Sequence, residues 1–236
     1  MKRLTIFIVL LLLCAGIFLL ISDDAMDASS TQDNQDNQTE QTVPSSADVP
    51  EIIREQYDPA LASATFAGGC FWCTEAVFQE TEGVKNAISG YAGGTEYNPS
   101  YQAVIRKQTS HREAIKVFYD PTVVTYEQLL DVYWGSIDPT DDGGQFVDRG
   151  FSYTTAIFYE NDAQRIAAEE SKSALQDSGV HDGDIVSVIL PFTTFYEAEA
   201  YHQDFYLNST ENYKNYEQNS GREEFKAEIA KRLSEQ

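Results

Sequence analysis

An α+β fold, with helices packed on a mostly antiparallel sheet, is what the chain predicts from about Pro59 onward. Three observations carry this. Strands with period-two alternation are intermixed with amphipathic helices, the two do not follow a strict βαβ order, and at least one strand pair needs a hairpin-like return. Ala64 to Ala67 reads as the first strand, and Gly68-Gly69-Cys70-Phe71-Trp72-Cys73-Thr74-Glu75 turns from it into a helix that runs to about Glu80. Val84 to Ala92 alternates as a strand and runs into the glycine-rich loop Gly90-Tyr91-Ala92-Gly93-Gly94. Asn98-Pro99-Ser100-Tyr101 opens the next helix, with proline near its first turn. His111 to Tyr119 alternates again, which puts Glu113 on the more apolar face with Ile115, Val117 and Tyr119. Tyr126 to Ser136 has Leu129, Leu130, Tyr133 and Trp134 on one helical stripe. A long polar loop follows, Asp138 to Gly150, of the kind that often carries function. Tyr153 to Tyr159 reads as a strand, Asp162 to Gln176 as a helix and Ile185 to Leu190 as a strand. The last strongly apolar stretch, Pro191 to Leu207, sets His202 among aromatic residues, where packing is the expected role. Asn208 to Gln236 reads as a charged loop followed by a surface helix from about Arg222.

The first 58 residues differ in kind. Lys2 and Arg3 precede an almost unbroken apolar run, Leu4 to Ile21, whose 18 residues span roughly 27 Å as a helix, about the thickness of a bilayer core. Residues 1–21 are therefore expected to be a membrane anchor or uncleaved signal. Positive charge before the run and acidic residues after it orient the remainder outside the cytoplasm, and secretion after signal cleavage is the alternative. Residues 22–58, rich in Asp, Asn, Gln, Ser and Thr, bury too little apolar surface to offset their ordering entropy and read as a flexible acidic tether. Of the formal charge of −22, three basic and ten acidic residues before Pro59 leave −15 on residues 59–236. A field of that sign argues against nucleic acid as a partner.

Chemistry concentrates at Cys70 and Cys73. The start of a helix offers unpaired N–H groups and the positive end of its dipole, so a thiol at Cys70 is expected to ionise below its free pKa of about 8.5. Cys73 is near enough in sequence to pair with it. The alternatives are small core residues or half of a zinc site, although no second CxxC is present. Glu75 reads as a favourable charge in the first helical turn. The aspartates at 138, 141 and 142 do not have the spacing of an EF-hand. Taken alone, the cysteine turn also suits a thiol-disulfide oxidoreductase or a membrane-tethered metal or redox-sensing module.

Six stretches in order, GGCFWC, GYAGG, Asn98-Pro99-Ser100-Tyr101, His111-Arg112-Glu113-Ala114, DPTDDGGQF and Asp148 with Tyr153, closely resemble the peptide methionine sulfoxide reductase A family. The likeness runs from about Thr65 to Leu207. It implies a ferredoxin-like two-layer core and reduction of the S epimer of methionine sulfoxide, free or in proteins. On the matching positions it implies Cys70 as nucleophile, Glu113 as acid, Tyr101 and Tyr153 as hydroxyls holding the sulfoxide oxygen, and Asp148 as a carboxylate ordering the site. Phe71 and Trp72 would wall the methyl pocket, and Cys73 would be the resolving thiol of the subgroup with two cysteines in this turn. The resemblance further implies no metal or bound cofactor, an external thioredoxin-like dithiol as reductant, and a monomer. Ser110, Phe151, Ser152 and Thr154 depart from the family's usual residues.

Overall fold

The computed structural model describes Asp58 and residues 60–235. The expected anchor, residues 1–21, and the tether, residues 22–58, lie outside the described residues apart from Asp58. No helix among the described residues is long and apolar enough to cross a membrane.

In chain order the elements are β1 (Ala62–Ala67), α1 (Phe71–Gln79), β2 (Val84–Ala92), α2 (Tyr101–Ile105), β3 (Arg112–Tyr119) and α3 (Tyr126–Ser136). Then come β4 (Gly144–Gln145), β5 (Asp148–Arg149), a 3₁₀ turn at Phe151–Tyr153, β6 (Ala156–Tyr159) and α4 (Asp162–Ser178). The chain continues with β7 (Val188–Pro191), β8 (Phe195–Glu197), a 3₁₀ turn at Ala200–His202, α5 (Phe205–Asn208), α6 (Thr210–Asn219) and α7 (Arg222–Ser234).

Strand order in the main sheet is β7-β6-β1-β3-β2-β8, with every pairing antiparallel except β6 with β7. The inner order β6-β1-β3-β2 is the split βαβ arrangement of a ferredoxin-like core, as expected. The apolar stripe of α3 closes the layer: Leu129, Leu130 and Tyr133 are buried, and Phe66 of β1 stacks between Phe78 of α1 (5.0 Å) and Tyr133 (5.1 Å). Burying side chains of this size stabilises by about 1.5–3 kcal/mol each. The Tyr133 hydroxyl donates to the Ala67 carbonyl (2.9 Å), which fixes the end of β1 just before the cysteine turn.

Five elements differ from the sequence expectation. Tyr153 does not begin a strand. Its N–H bonds Gly150 and the Thr154 hydroxyl bonds Phe151, so a 3₁₀ turn replaces the first residues and β6 starts at Ala156. The strand expected at Ile185 starts at Val188, because the N–H groups of Val186 and Ser187 are taken by the Pro139 carbonyl. Gly90 to Ala92 continue β2, as the alternation of Val84 to Ala92 predicts, so the glycine-rich loop is shorter than expected, and Phe195–Glu197 forms the unforeseen edge strand β8 beside them. The segment read as a loop after Asn208 is helix α6, and α7 begins at Arg222 with that first side chain buried instead of on the surface.

Candidate active site

The site grows from the turn between β1 and α1. Gly69 has φ +84°, and a Cβ there would lie 2.6 Å from Cβ of Gln145, so only glycine allows the turn to pack on the β4–β5 hairpin. Cys70 is the N-cap of α1, its carbonyl accepting the N–H groups of Cys73 and Thr74 (3.2 and 3.3 Å). Cys70 thus stands at the helix start as expected, but the nearby amide does not serve a thiolate. The N–H of Phe71 donates to Oε2 of Glu113 (3.0 Å), whose carboxyl is 2 % exposed. Burial holds Glu113 up at about 8, with the charge of Asp148 adding to this and the hydrogen bonds from Phe71 and Tyr153 opposing it.

The expected ionised Cys70 is therefore corrected. Burial, the hydrogen bond to Cys73 and the negative charges of Cys73, Glu113 and Asp148 push its thiol well above the usual range. Cys73 moves the other way: the hydrogen bond from Cys70 lowers it against the effect of burial, and Arg222 and Tyr213 lower it further. Both cysteines are free thiols.

The other expected residues gather here. Tyr153 hydrogen-bonds the Glu113 carboxyl, and Tyr101 lies close enough for the charges of Glu113 and Cys70 to act on it, after burial, in raising it to about 12. The main-chain N–H of Tyr101 is held by Glu199 (2.9 Å), which also accepts from Tyr91 (2.8 Å). Asp148, in β5, accepts from the Tyr216 hydroxyl of α6, and burial raises it. Phe71 is 1 % exposed, its ring 6.5 Å from Tyr101 and 4.9 Å from His202. Half-buried Trp72 stacks on Phe205 at 3.8 Å.

Sequence reasoning missed several of the site's neighbours. His202, read as packed, accepts the indole N–H of Trp72 on Nδ1 (3.1 Å) with its ring 4.4 Å from Tyr101, while its buried Nε2 has no partner among the described residues. Tyr213 and Tyr216 reach the cysteines and Asp148 from α6. Their spacing of three would place them on one helical face, a signal hidden by the polar residues around them. Glu75 is not a first-turn surface charge. It sits fully buried in the second turn of α1, accepting the N–H of Asp204 (3.1 Å), and burial raises it to about 7.

The departures from the expected motif are accommodated. Arg112 bonds the Thr154 hydroxyl (2.9 Å) and lies 4.3 Å over Phe151, and Ser110 bonds Glu96 through both its N–H (3.0 Å) and its hydroxyl (2.9 Å).

A two-layer α+β core that presents a helix-capping thiol to a proton-bearing carboxyl, with a second thiol one turn away, defines a thiol-dependent oxidoreductase. The chain belongs to the peptide methionine sulfoxide reductase family, whose model matches residues 62–233. Among curated proteins it is 53 % identical over 162 residues to peptide methionine sulfoxide reductase MsrA of Bacillus licheniformis, covering 69 % of this chain and 90 % of that one. It is 50 % identical over 165 residues to MsrA of Bacillus subtilis, covering 70 % and 93 %. Among solved structures, reduced Mxr1 from Saccharomyces cerevisiae matches with a TM-score of 0.61 at 32 % identity over 65 % of this chain and 89 % of that one. Methionine sulfoxide reductase A of Corynebacterium diphtheriae matches with a TM-score of 0.58 at 31 % identity over 64 % and 76 %.

Proposed function

We propose that the domain reduces the S epimer of methionine sulfoxide, free or in proteins, with Cys70 as nucleophile and Glu113 as acid. The observation that carries this is the Glu113 carboxyl, sealed from water, anchored to the N–H of the residue after Cys70 and holding its proton at neutral pH. A sulfoxide oxygen leaves sulfur only as it is protonated, so an acid within reach of the reacting atoms is required. Cys70 Sγ attacks the sulfoxide sulfur while Glu113 gives its proton to the oxygen, which Tyr101 and Tyr153 hold. The S–O bond of the substrate breaks, the oxygen ends as S–OH on Cys70, and Glu113 recovers a proton from the Cys70 thiol. Methionine leaves, reduced by two electrons, and Cys70 is a sulfenic acid. Phe71 and Trp72 take the substrate's methyl group, and Asp148, held by Tyr216, orders the polar side.

Cys73 then attacks the Cys70 sulfenic sulfur, forming the disulfide as hydroxide leaves and is protonated to water. An external dithiol of the thioredoxin kind then reopens that disulfide. Residues 1–21 anchor the chain, by the charge asymmetry around its apolar run, and carry the domain outside the cytoplasm.

The test is Glu113→Gln, which keeps an acceptor for the Phe71 N–H and removes the proton donor. Sulfoxide turnover should fall by about 10²–10⁴-fold, while exchange of the Cys70–Cys73 disulfide with dithiothreitol persists. Unchanged turnover would sink the assignment of the acid and favour a plain dithiol exchanger.

A further inference from the structure

Arg222 is a cation in a place that local chemistry disfavours. It is the first residue of α7, at the positive end of that helix, and it is 1 % exposed. Its guanidinium donates to the carbonyls of Ser136 and of Gly68 (3.4 Å) and lies 4.6 Å over the Phe146 ring. A Cβ on Gly69 would be 3.5 Å from its Nη2, so the guanidinium sits directly against the Gly68-Gly69-Cys70 turn. Among the described residues Nε has no hydrogen-bond partner and no carboxylate lies within ion-pair distance. A buried charge without a counter-ion is costly, and two carbonyls and a ring face offset that cost only in part. The anionic groups that feel this charge are Cys73 and Asp148.

We infer that Arg222 is the positioning residue for the resolving step, its buried charge holding Cys73 as the thiolate that attacks the Cys70 sulfenic acid. The inference rests on the proposed cycle, in which Cys73 closes the disulfide. Cys73 Sγ⁻ forms the S–S bond with Cys70, the S–OH bond breaks, and the departing hydroxide takes the proton of Glu113 and leaves as water. The sulfenic sulfur is reduced and the Cys73 sulfur oxidised, with no further reagent. The groups that face Cys73 are Cys70 on the preceding turn, Glu113 on β3, Tyr213, Tyr216 and Glu217 on α6, and Arg222 on α7. Cys70 and Tyr213 assist ionisation and Glu217 opposes it, so Arg222 is the one full positive charge in the set.

The experiment follows both steps in a single turnover on the full chain, counting methionine formed and disulfide formed, with Arg222→Gln and Arg222→Lys. Each pKa unit added to Cys73 lowers its thiolate fraction about tenfold but raises its nucleophilicity, leaving roughly a threefold loss per unit. Arg222→Gln should still release one methionine per enzyme, slow disulfide formation roughly three- to tenfold near pH 7, and shift that step's pH profile to higher pH. Arg222→Lys should restore most of the rate. Disulfide formation at the normal rate in Arg222→Gln overturns the inference, as does slowing at every pH with no shift and no rescue by lysine. Should Arg222→Gln not fold, the same two counts on Arg222→Met decide the matter: slowed disulfide formation with its pH profile moved up supports the role, and an unshifted profile rejects it. Failure of the unaltered chain to release methionine would instead strike the proposed cycle itself.

Discussion

Glu113 carries two facts that pull in one direction. Its side chain is on the apolar face of β3, which the alternation of residues 111–119 makes legible, and its carboxyl bonds an amide of the cysteine turn, which no local pattern reveals. That bond works with burial against the helix-start argument for an ionised Cys70: the carboxyl of a distant strand occupies an N–H that a thiolate would use. Since burial moves Glu113 up to about 8, the acid form persists through neutrality and is lost as pH rises past that value. The single-turnover rate of methionine formation should accordingly stay level from mildly acid to neutral pH and decline above about 8, as followed by chromatography of the product. A rate that climbs through that range would mean that thiol ionisation, and not the acid, is limiting. Cys73→Ser should form one methionine per enzyme and stop, whereas Cys70→Ser should form none. Repeated turnover by Cys70→Ser would show that another group is the nucleophile.

At the scale of elements, long segments with strong periodicity were readable and short ones were not. β2 and α3 occupy the residues their patterns predict, because alternation and the apolar stripe are properties of the segment itself. β8 has three residues and exists through pairing with β2, so nothing local marks it. Helix α6 is polar almost throughout and touches the core mainly through Tyr213, which is why its composition read as loop. Helix α1 ties to this C-terminal part through Glu75, whose carboxyl holds the Asp204 N–H and thereby the neighbouring residues that back Trp72. The folded state raises Glu75 from 4.5 to about 7. Folded protein thus binds its proton more tightly than unfolded protein, and the stability this gives is full below about 4.5 and declines as pH rises towards 7. Glu75→Gln keeps the acceptor for Asp204 and should flatten that part of the pH dependence in thermal melts. An unchanged slope would place the titration elsewhere. Tyr133→Phe, which leaves the Ala67 carbonyl without its buried donor, should cost about 1–3 kcal/mol in denaturant unfolding.

For the whole molecule, sheet order is the feature least visible in any single stretch, yet the mixture of element types was enough to place the chain among α+β folds. Strand pairing over long separations joins β1 to β6 and β3, and it is this closure that brings a cysteine from one connection and a glutamate from another strand into one site. Charge is the other global property, and it is read directly: −15 falls on residues 59–236. A negative field of that size acts on encounter and not on the bond-breaking step. For oxidised-methionine peptides of equal length, lysine-flanked substrates should therefore show a higher kcat/KM than glutamate-flanked ones at low salt, with kcat nearly equal. The difference should shrink as salt shortens the screening length from about 30 Å at 0.01 M to about 3 Å at 1 M. A preference that survives high salt would locate peptide selection in direct contacts around Trp72 and Tyr101, and a preference for the acidic peptide would reject long-range steering as the source of discrimination.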